Sequence, residues 1–592
     1  MFQTFEQSAS PEQGPPRLAA LRAELASEGL DGFVVPRADA HQGEYVAPHD
    51  DRLAWLTGFT GSAGYCVALM DKAGVFVDGR YRVQVKSQVA KEFTPVDWPE
   101  VGLAEWIVEA LPGGGTVGLD PWLFSVEQMR GLERGLGAVA LRLCDNLVDR
   151  VWDDQPAPPM GAVFAQPVEL AGEAHGDKIA RLAKGLGATD ACVITLPDSL
   201  AWLLNIRGSD VARNPVPHGF AILHATGRVS LFMAAQKLEG LGDHLGPQVE
   251  VMAPKDFVPA LGALGGTVQI DPATCPVAVQ TALRGCEIVE ATDPCLLPKA
   301  RKNAAELAGA REAHLRDGAA MVRFLHWLDG QTPGAFTEID AVVALEEERR
   351  ATNALRDISF ETISGAGPNG AIVHYRVTEA TNRTTQPNEL LLIDSGGQYV
   401  DGTTDITRTM VLGEAGSEEK DAFTRVLKGM IALSRLRFPA GLAGRDIDVL
   451  ARAALWEAGL DYGHGTGHGV GAYLSVHEGP QRIARTGTVP LEAGMILSNE
   501  PGFYREGSYG IRIENLIAVE PAPPLPGQTV AKMLRFETLT WVPIDRRLIE
   551  TGLLTAAERD WLNAYHEGVF ERIAPLVTGA VRDWLKTACA PL

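Results

Sequence analysis

Cysteine is scarce. The 592-residue chain holds seven, at 66, 144, 192, 275, 286, 295 and 589, with no CxxC spacing and none between 296 and 588. That argues against a disulfide framework or a thiolate zinc site and for reduced, partly buried thiols in the cytoplasm. Long apolar runs are missing too: no stretch reaches about 18 residues, so no membrane span is expected. The opening MFQTFEQSASPEQGPPRL lacks the basic region and apolar core of a secretory signal. Positive charge is in deficit. Lys and Arg number 53 against 75 Asp and Glu, for a net charge of −22. That balance argues against nucleic acid as a partner, because phosphate binding needs a basic surface, and it favours solubility. No low-complexity tract is present.

What remains is ordinary globular material, 46% hydrophobic and 22% charged. The length predicts about three domains. One boundary signal is Asp153 to Pro167, DDQPAPPMGAVFAQP, rich in Pro and small residues. Another lies near Leu297–Asn303, where a long helical pattern begins. The expected division is 1–153, 165–299 and 300–592.

The first two parts read as copies. DRLAWLTGFTGSAG from Asp51 and DSLAWLLNIRGSDV from Asp198 share Asp, Leu-Ala-Trp-Leu and Gly-Ser. Each motif follows an amphipathic helix and an apolar strand. Two α/β domains of one fold are predicted, with the shared motif structural.

In the third part, Met321, Phe324, Leu325 and Leu328 recur at i, i+3, i+4 and i+7, one apolar face of a helix. Thr337 with Asp340, and Thr555 with Glu558, look like helix-starting capping pairs. Strands are expected from about 390 to 414 and 494 to 520.

The residues able to carry chemistry sit on those strands. The apolar run Leu390–Ile393 ends in Asp394, and Asp405 follows eleven residues later. A turn near Tyr399–Val400 would set the two acids opposite each other, where they repel unless a cation is shared. Downstream, Glu500 and Glu514 are equidistant from Gly507 and can face each other across a hairpin. Alternation puts Arg512 on the face of Glu514, and Ile511 and Ile513 on the other.

Between the hairpins lie Gly463-His464-Gly-Thr-Gly-His468-Gly-Val-Gly and Ser475-Val-His477-Glu-Gly-Pro. The glycines make a helical HExxH zinc motif costly, and GxGxxG is absent. They are read as letting backbone approach a ligand. Taken singly, each acid or histidine reads as a turn, solvated or structural residue. Together, four carboxylates and His468 make oxygen-rich ligands for two divalent ions, a set suited to manganese or magnesium more than to zinc alone.

These motifs resemble those of the pita-bread metallopeptidase family shared by methionine aminopeptidases, prolidases and Xaa-Pro aminopeptidases. The ligand order Asp, Asp, His, Glu, Glu is matched by Asp394, Asp405, His468, Glu500 and Glu514. The contexts Ile393-Asp-Ser-Gly, Asp401-Gly-Thr-Thr-Asp-Ile-Thr-Arg-Thr-Met, Val476-His-Glu-Gly-Pro, Asn499-Glu-Pro-Gly and Gly510-Ile-Arg-Ile-Glu-Asn are similar to the Xaa-Pro branch. The N-terminal repeats resemble creatinase-type domains, and the tail with Phe536-Glu-Thr-Leu-Thr and Trp561–His566 resembles that branch's C-terminal segment.

The resemblance implies an α/β (α+β) chain: two creatinase-type N-terminal domains, then a pita-bread catalytic domain with a C-terminal extension. It implies hydrolysis of the N-terminal Xaa-Pro bond of peptides by a dinuclear centre of manganese, cobalt or zinc with a bridging hydroxide. Asp405 and Glu514 would bridge, Asp394 would complete one ion's shell, and His468 and Glu500 the other's. Glu500 would shuttle the proton, His374 would stand near the leaving group, and His477 would contact the carbonyl or oxyanion. His464 and Arg512 would line the proline side or support the ligands from behind. A homodimer is implied as well. The alternatives are a prolidase, a metal-free pita-bread protein that binds partners, and creatinase-like chemistry, which needs no metal and leaves the acidic quartet unexplained.

Overall fold

The computed structural model describes residues 1–7 and 9–592. The chain forms two compact units, one from Ser8–Leu296 and the other from Met1–Gln7 with Leu297–Leu592.

The first unit holds two six-stranded sheets. One runs Thr94–Asp97, Ala73–Val77, Tyr65–Leu69, Gly32–Pro36, Gly115–Leu119, Val139–Leu143; the other runs Val249–Met252, Val229–Phe232, Phe220–His224, Ala191–Ile194, Thr267–Ile270, Glu287–Glu290. Both follow the same pairing sequence from edge to edge: parallel, antiparallel, antiparallel, parallel, parallel. The repeated motif forms the short helices Arg52–Thr57 and Pro197–Leu203, which bury Leu53 and Leu56 in one and Leu200 and Leu203 in the other. In each copy the preceding helix sets a cation over the motif's tryptophan: Arg17 lies 4.6 Å from the Trp55 ring and Lys178 lies 4.1 Å from the Trp202 ring. The motif is thus absorbed by packing.

In the second unit, Asn303 caps the helix Ala304–Asp329 by accepting from Ala305 and Glu306 N–H. Met321, Phe324, Leu325 and Leu328 enter one core with Leu391, Ile393, Ile406 and Met410. Each such buried side chain contributes roughly 1.5–3 kcal/mol, and this packing ties the helix to the strands bearing the acids. Thr337 and Thr555 cap the helices Glu338–Arg350 and Ala556–Ile573 in reciprocal boxes with Asp340 and Glu558.

A three-stranded sheet orders Ile363–Ala366, Leu390–Ser395 and Ile406–Val411. A six-stranded sheet orders Arg437–Pro439, Met533–Thr538, Asn515–Pro521, Ile496–Asn499, Gly467–Gly469 and Glu478–Ile483. The helices Ser417–Ser434 and Gly444–Trp456 pack on each other. The first residues join this unit: Phe2 N–H donates to Glu346 Oε1 at 2.7 Å, and Thr362 N–H to Gln3 Oε1 at 2.8 Å. No local pattern in the sequence marks that long-range stitching.

Candidate metal centre

Asp394 lies near the end of the strand Leu390–Ser395, and its register partner is Thr407, not Asp405. The turn is centred between Val400 and Asp401, one residue beyond expectation, since Gln398 pairs with Thr403 and Tyr399 with Gly402. The helix Ala304–Asp329 sets that turn. Arg316 clamps Asp401 with a fork of 3.1 and 2.9 Å. Gly402 sits so close that a methyl there would lie 3.0 Å from Ala313 Cβ.

The second acidic pair follows the expected register. Asn499 pairs with Asn515 and Gly502 with Arg512, so Glu500 stands opposite Glu514 between two ladder segments. Alternation holds as well. Arg512 Nε donates to Thr407 Oγ1 at 3.1 Å, and the Thr407 hydroxyl donates to Glu514 Oε2 at 2.8 Å. Ile511 and Ile513 enter the core on the opposite face.

His468 comes from the short strand Gly467–Gly469. The glycines beside it admit neighbouring backbone. A methyl at Gly467 would fall 2.0 Å from Ser498 O, and one at Gly469 2.3 Å from Glu478 O. In the neutral His468 ring, Nδ1 donates to Gly469 O at 2.9 Å. The Nε2 lone pair is left facing Asp405 Oδ2 and Glu500 Oε1, each 3.4 Å away.

Donor atoms of Asp405, His468 and Glu514 all lie within 4.8 Å of one another. Asp394 adjoins through Arg512, whose Nη2 donates to Asp394 Oδ2 at 2.6 Å. Glu500 adjoins through His468, and its Oε1 accepts from Ser498 Oγ at 2.9 Å. Asp394 Oδ1, Asp405 Oδ1 and Glu514 Oε1 are buried with no hydrogen-bond partner among the described residues.

Crowding shows in the protonation energetics. Burial first, then the charge of Asp405, pushes Asp394 up to about 7, against the pull of Arg512. Burial, Asp405 and Glu500 push Glu514 well up, and burial with Asp405 raises Glu500. Burial opposes the His468 imidazolium, but Asp405 and Glu500 outweigh it and raise the group to about 9. Buried carboxylates with unused lone pairs, close enough to raise one another, fit a site for divalent cations, whose charge inverts this balance.

The remaining expected residues lie around this set. The His477 ring stands edge-on to His468, with centroids 4.3 Å apart. In the neutral His464 ring, Nδ1 donates to Gly465 O at 2.7 Å, leaving Nε2 2.9 Å from Tyr504 OH as acceptor. Tyr504 OH in turn accepts from Arg512 Nη1 at 2.5 Å. His374 is half-buried in the turn after the 3₁₀ helix Gly367–Ala371. That segment presses on the strand of Arg512, for a methyl at Gly510 would lie 1.7 Å from Gly370 O.

Three participants escaped the sequence reading: Thr407, Ser498 and Tyr504. Thr407 and Ser498 lie two residues from a candidate ligand, on the same strand face, a signal that alternation offered. Glu478 escaped as well. It is buried against Lys299 Nζ, at 3.4 Å from its Oε1, and against Lys302. No spacing rule links positions so far apart.

Comparison with known proteins follows the same lines. Residues 308–521 match metallopeptidase family M24, 17–151 and 154–306 match creatinase/prolidase N-terminal domains, and 532–592 match the C-terminal region of peptidase M24. The chain is similar to aminopeptidase P2 of Arabidopsis thaliana, 39% identical over 95% of this chain and 86% of that one. It is also similar to a probable Xaa-Pro aminopeptidase P of Laccaria bicolor, 39% identical over 97% of this chain and 93% of that one. Among solved structures, X-prolyl aminopeptidase from Caenorhabditis elegans, described as a cytosolic enzyme with a di-nuclear active site, superposes with a TM-score of 0.93. It is 33% identical, and the match covers 98% of this chain and 100% of that one. The expected fold class, two creatinase-type domains ahead of a pita-bread metallopeptidase domain, is therefore the observed one.

Proposed function

The chain belongs to metallopeptidase family M24, in the branch of the Xaa-Pro aminopeptidases P, and on that premise we propose that this metallo-aminopeptidase releases the first residue of peptides whose second residue is proline. The observation that carries the reading is the convergence of Asp405, His468 and Glu514 within 4.8 Å, with buried, unpartnered oxygens on Asp394, Asp405 and Glu514.

Asp394, Asp405, His468, Glu500 and Glu514 would hold two divalent ions. When bound, these supply an acidified water and a Lewis acid for the scissile carbonyl. Around them, Arg512 fixes Asp394, and Thr407 orients Glu514. Glu500 takes the role of proton carrier, its Oε1 set by Ser498 and its carboxylate beside His468. His477, edge-on to His468, takes the role of donor to the developing oxyanion. His374 serves the leaving-group side. His464, Tyr504 and Arg512 form the hydrogen-bonded wall on the proline side.

The finer assignments rest on the same reading. Manganese is the proposed metal, as a carboxylate-rich set suits it, with cobalt or zinc as alternatives. A homodimer in the cytoplasm and the three-part division 1–153, 165–299 and 300–592 are proposed alongside.

The test uses chelator-stripped protein and a peptide beginning Arg-Pro-Pro, with a control carrying Ala in place of the first Pro. Cleavage restored by manganese and confined to the proline peptide is expected. Equal cleavage of both peptides would make the enzyme a broader aminopeptidase. Cleavage only of an Xaa-Pro dipeptide would make it a prolidase. No cleavage at full metal occupancy would overturn the catalytic reading.

A further inference from the structure

A second cluster of metal-binding side chains lies in the N-terminal unit, apart from the five residues above. Asp39, Asp50 and His218 come from three separate loops, yet they offer one donor atom each within 4.8 Å of one another. Asp39 follows the strand Gly32–Pro36, Asp50 ends the 3₁₀ turn Pro48–Asp50, and His218 precedes the strand Phe220–His224.

Two buried atoms in the cluster have no hydrogen-bond partner among the described residues. Asp39 is 1% exposed; its Oδ1 accepts from the backbone N–H of His41 and of Gly43, each at 2.9 Å, while Oδ2 has no partner. His218 Nε2 is the other. These two atoms face each other across 3.3 Å without the alignment of a hydrogen bond.

Fixed backbone holds the donors in place. His218 N–H donates to Asp210 Oδ2 at 2.6 Å, and the His218 carbonyl accepts from Lys237 Nζ at 2.9 Å. Lys237 and Asp210 are themselves a buried pair. Asp50 Oδ1 accepts from Arg52 Nη1 at 3.0 Å. Arg52 is shared between two acids, its Nε and Nη2 donating to Asp149 at 2.6 and 2.9 Å. His41 lies beside His218, ring centroids 4.6 Å apart, with Nδ1 on Thr195 O at 3.0 Å.

We propose that Asp39, Asp50 and His218 form a third cation site, separate from the catalytic pair, that takes a divalent transition ion such as zinc. One imidazole and two carboxylates make a borderline donor set, and three protein ligands leave room for water. The loops it would join lead into or out of strands of both sheets, so its role is to brace the two N-terminal copies against each other. Nothing in this proposal requires the catalytic ions.

The test counts zinc on the full chain, stripped with chelator, reloaded with excess zinc, desalted and measured by mass spectrometry. His218→Gln and Asp39→Asn are each expected to bind one zinc fewer per chain than the parent, whatever the parent's total. Asp405→Ala with Glu514→Ala, which disables the proposed catalytic pair, is expected to keep one zinc. With cobalt substituted, that variant should show a ligand-field absorbance that the added His218→Gln change abolishes. Circular dichroism in chelator checks that the variants fold. An unchanged count in folded His218→Gln and Asp39→Asn, or a cobalt signal indifferent to His218, would overturn the proposal. A parent count below expectation with the one-ion difference intact would instead count against the dinuclear reading.

Discussion

Arg512 reaches Asp394 with one nitrogen, Tyr504 with a second and Thr407 with the third. It is 2% exposed, so its charge is matched by groups that themselves face the metal ligands. Lysine keeps the charge but cannot reproduce a planar three-way fork. Arg512→Lys is therefore expected to weaken divalent-metal affinity and kcat/KM by roughly 10–100-fold, as losses of ligand-orienting partners do. Metal titration alongside steady-state kinetics checks this. Unchanged affinity would assign Arg512 to substrate contact alone.

How much of this was legible in the sequence depends on how local the cause was. The capping pairs at Thr337 and Thr555 and the helical face from Met321 to Leu328 are set by near neighbours, and all stand as expected. The Glu500–Glu514 register was also readable, because both arms count from Gly507 and no bulge intervenes. The Asp394 register was not. Arg316 and the close face of the helix Ala304–Asp329 move that turn by one residue, and their positions are far away in sequence. Buried pairs such as Glu478 with Lys299 and Lys302 are invisible for the same reason.

Glu478 follows the proposed oxyanion donor His477, and its two lysines are 1% exposed in their side chains. Removing the acid leaves both ammonium groups buried without that partner. Breaking a buried pair in this way costs about 3–5 kcal/mol. Glu478→Ala should lower the urea midpoint accordingly and reduce kcat more than it raises KM, as the His477 loop loses its anchor. A loss below about 1 kcal/mol, the scale of an exposed pair, would show that the clamp contributes little.

The loop bearing His374 has a comparable anchor. Buried Glu338 accepts from Ala366 N–H at 2.7 Å, Arg383 N–H at 3.0 Å, Asn369 Nδ2 at 3.0 Å and Tyr375 OH at 3.0 Å. Deleting it leaves several donors unsatisfied, each at about 1–3 kcal/mol. Glu338→Ala should destabilise the chain and lower activity, and Glu338→Gln, which keeps an acceptor, should recover part of both. Equal behaviour of the two variants in unfolding and kinetics would count against this anchoring role.

Acid sensitivity has a source away from the metal centre. His566 is fully buried, its Nε2 accepting from Ile544 N–H at 3.1 Å. Burial first, then Arg546 and Arg408, depresses it to about 3. The folded state therefore binds fewer protons than the unfolded one. Stability is full above the unfolded value near 6.5 and is lost progressively as pH falls toward 3. At pH 5 the loss is about 2 kcal/mol. His566→Gln, which keeps an acceptor without a titrating ring, should flatten the stability profile between pH 7 and 5 by that amount in urea unfolding. Parallel profiles would show that His566 does not control the acid limb.

Metal removal should be felt in stability as well as activity. Without cations, burial and neighbouring acids disfavour the ionised forms of Asp394, Glu500 and Glu514, and oxygens of Asp394, Asp405 and Glu514 stay buried with no hydrogen-bond partner among the described residues. A ligand that binds only the folded chain stabilises it by RT ln(1 + [L]/Kd), about 2.7 kcal/mol at a hundredfold excess over Kd. The melting temperature of stripped protein should thus climb with manganese concentration and keep climbing past saturation. Glu514→Gln removes from the centre of the cluster a carboxyl whose ionised form burial and Asp405 disfavour. It should raise the metal-free melting temperature, because one repulsive carboxylate is gone, while blunting the response to manganese. Those two shifts have opposite signs. A merely structural glutamate would lower the metal-free midpoint and leave the manganese response intact.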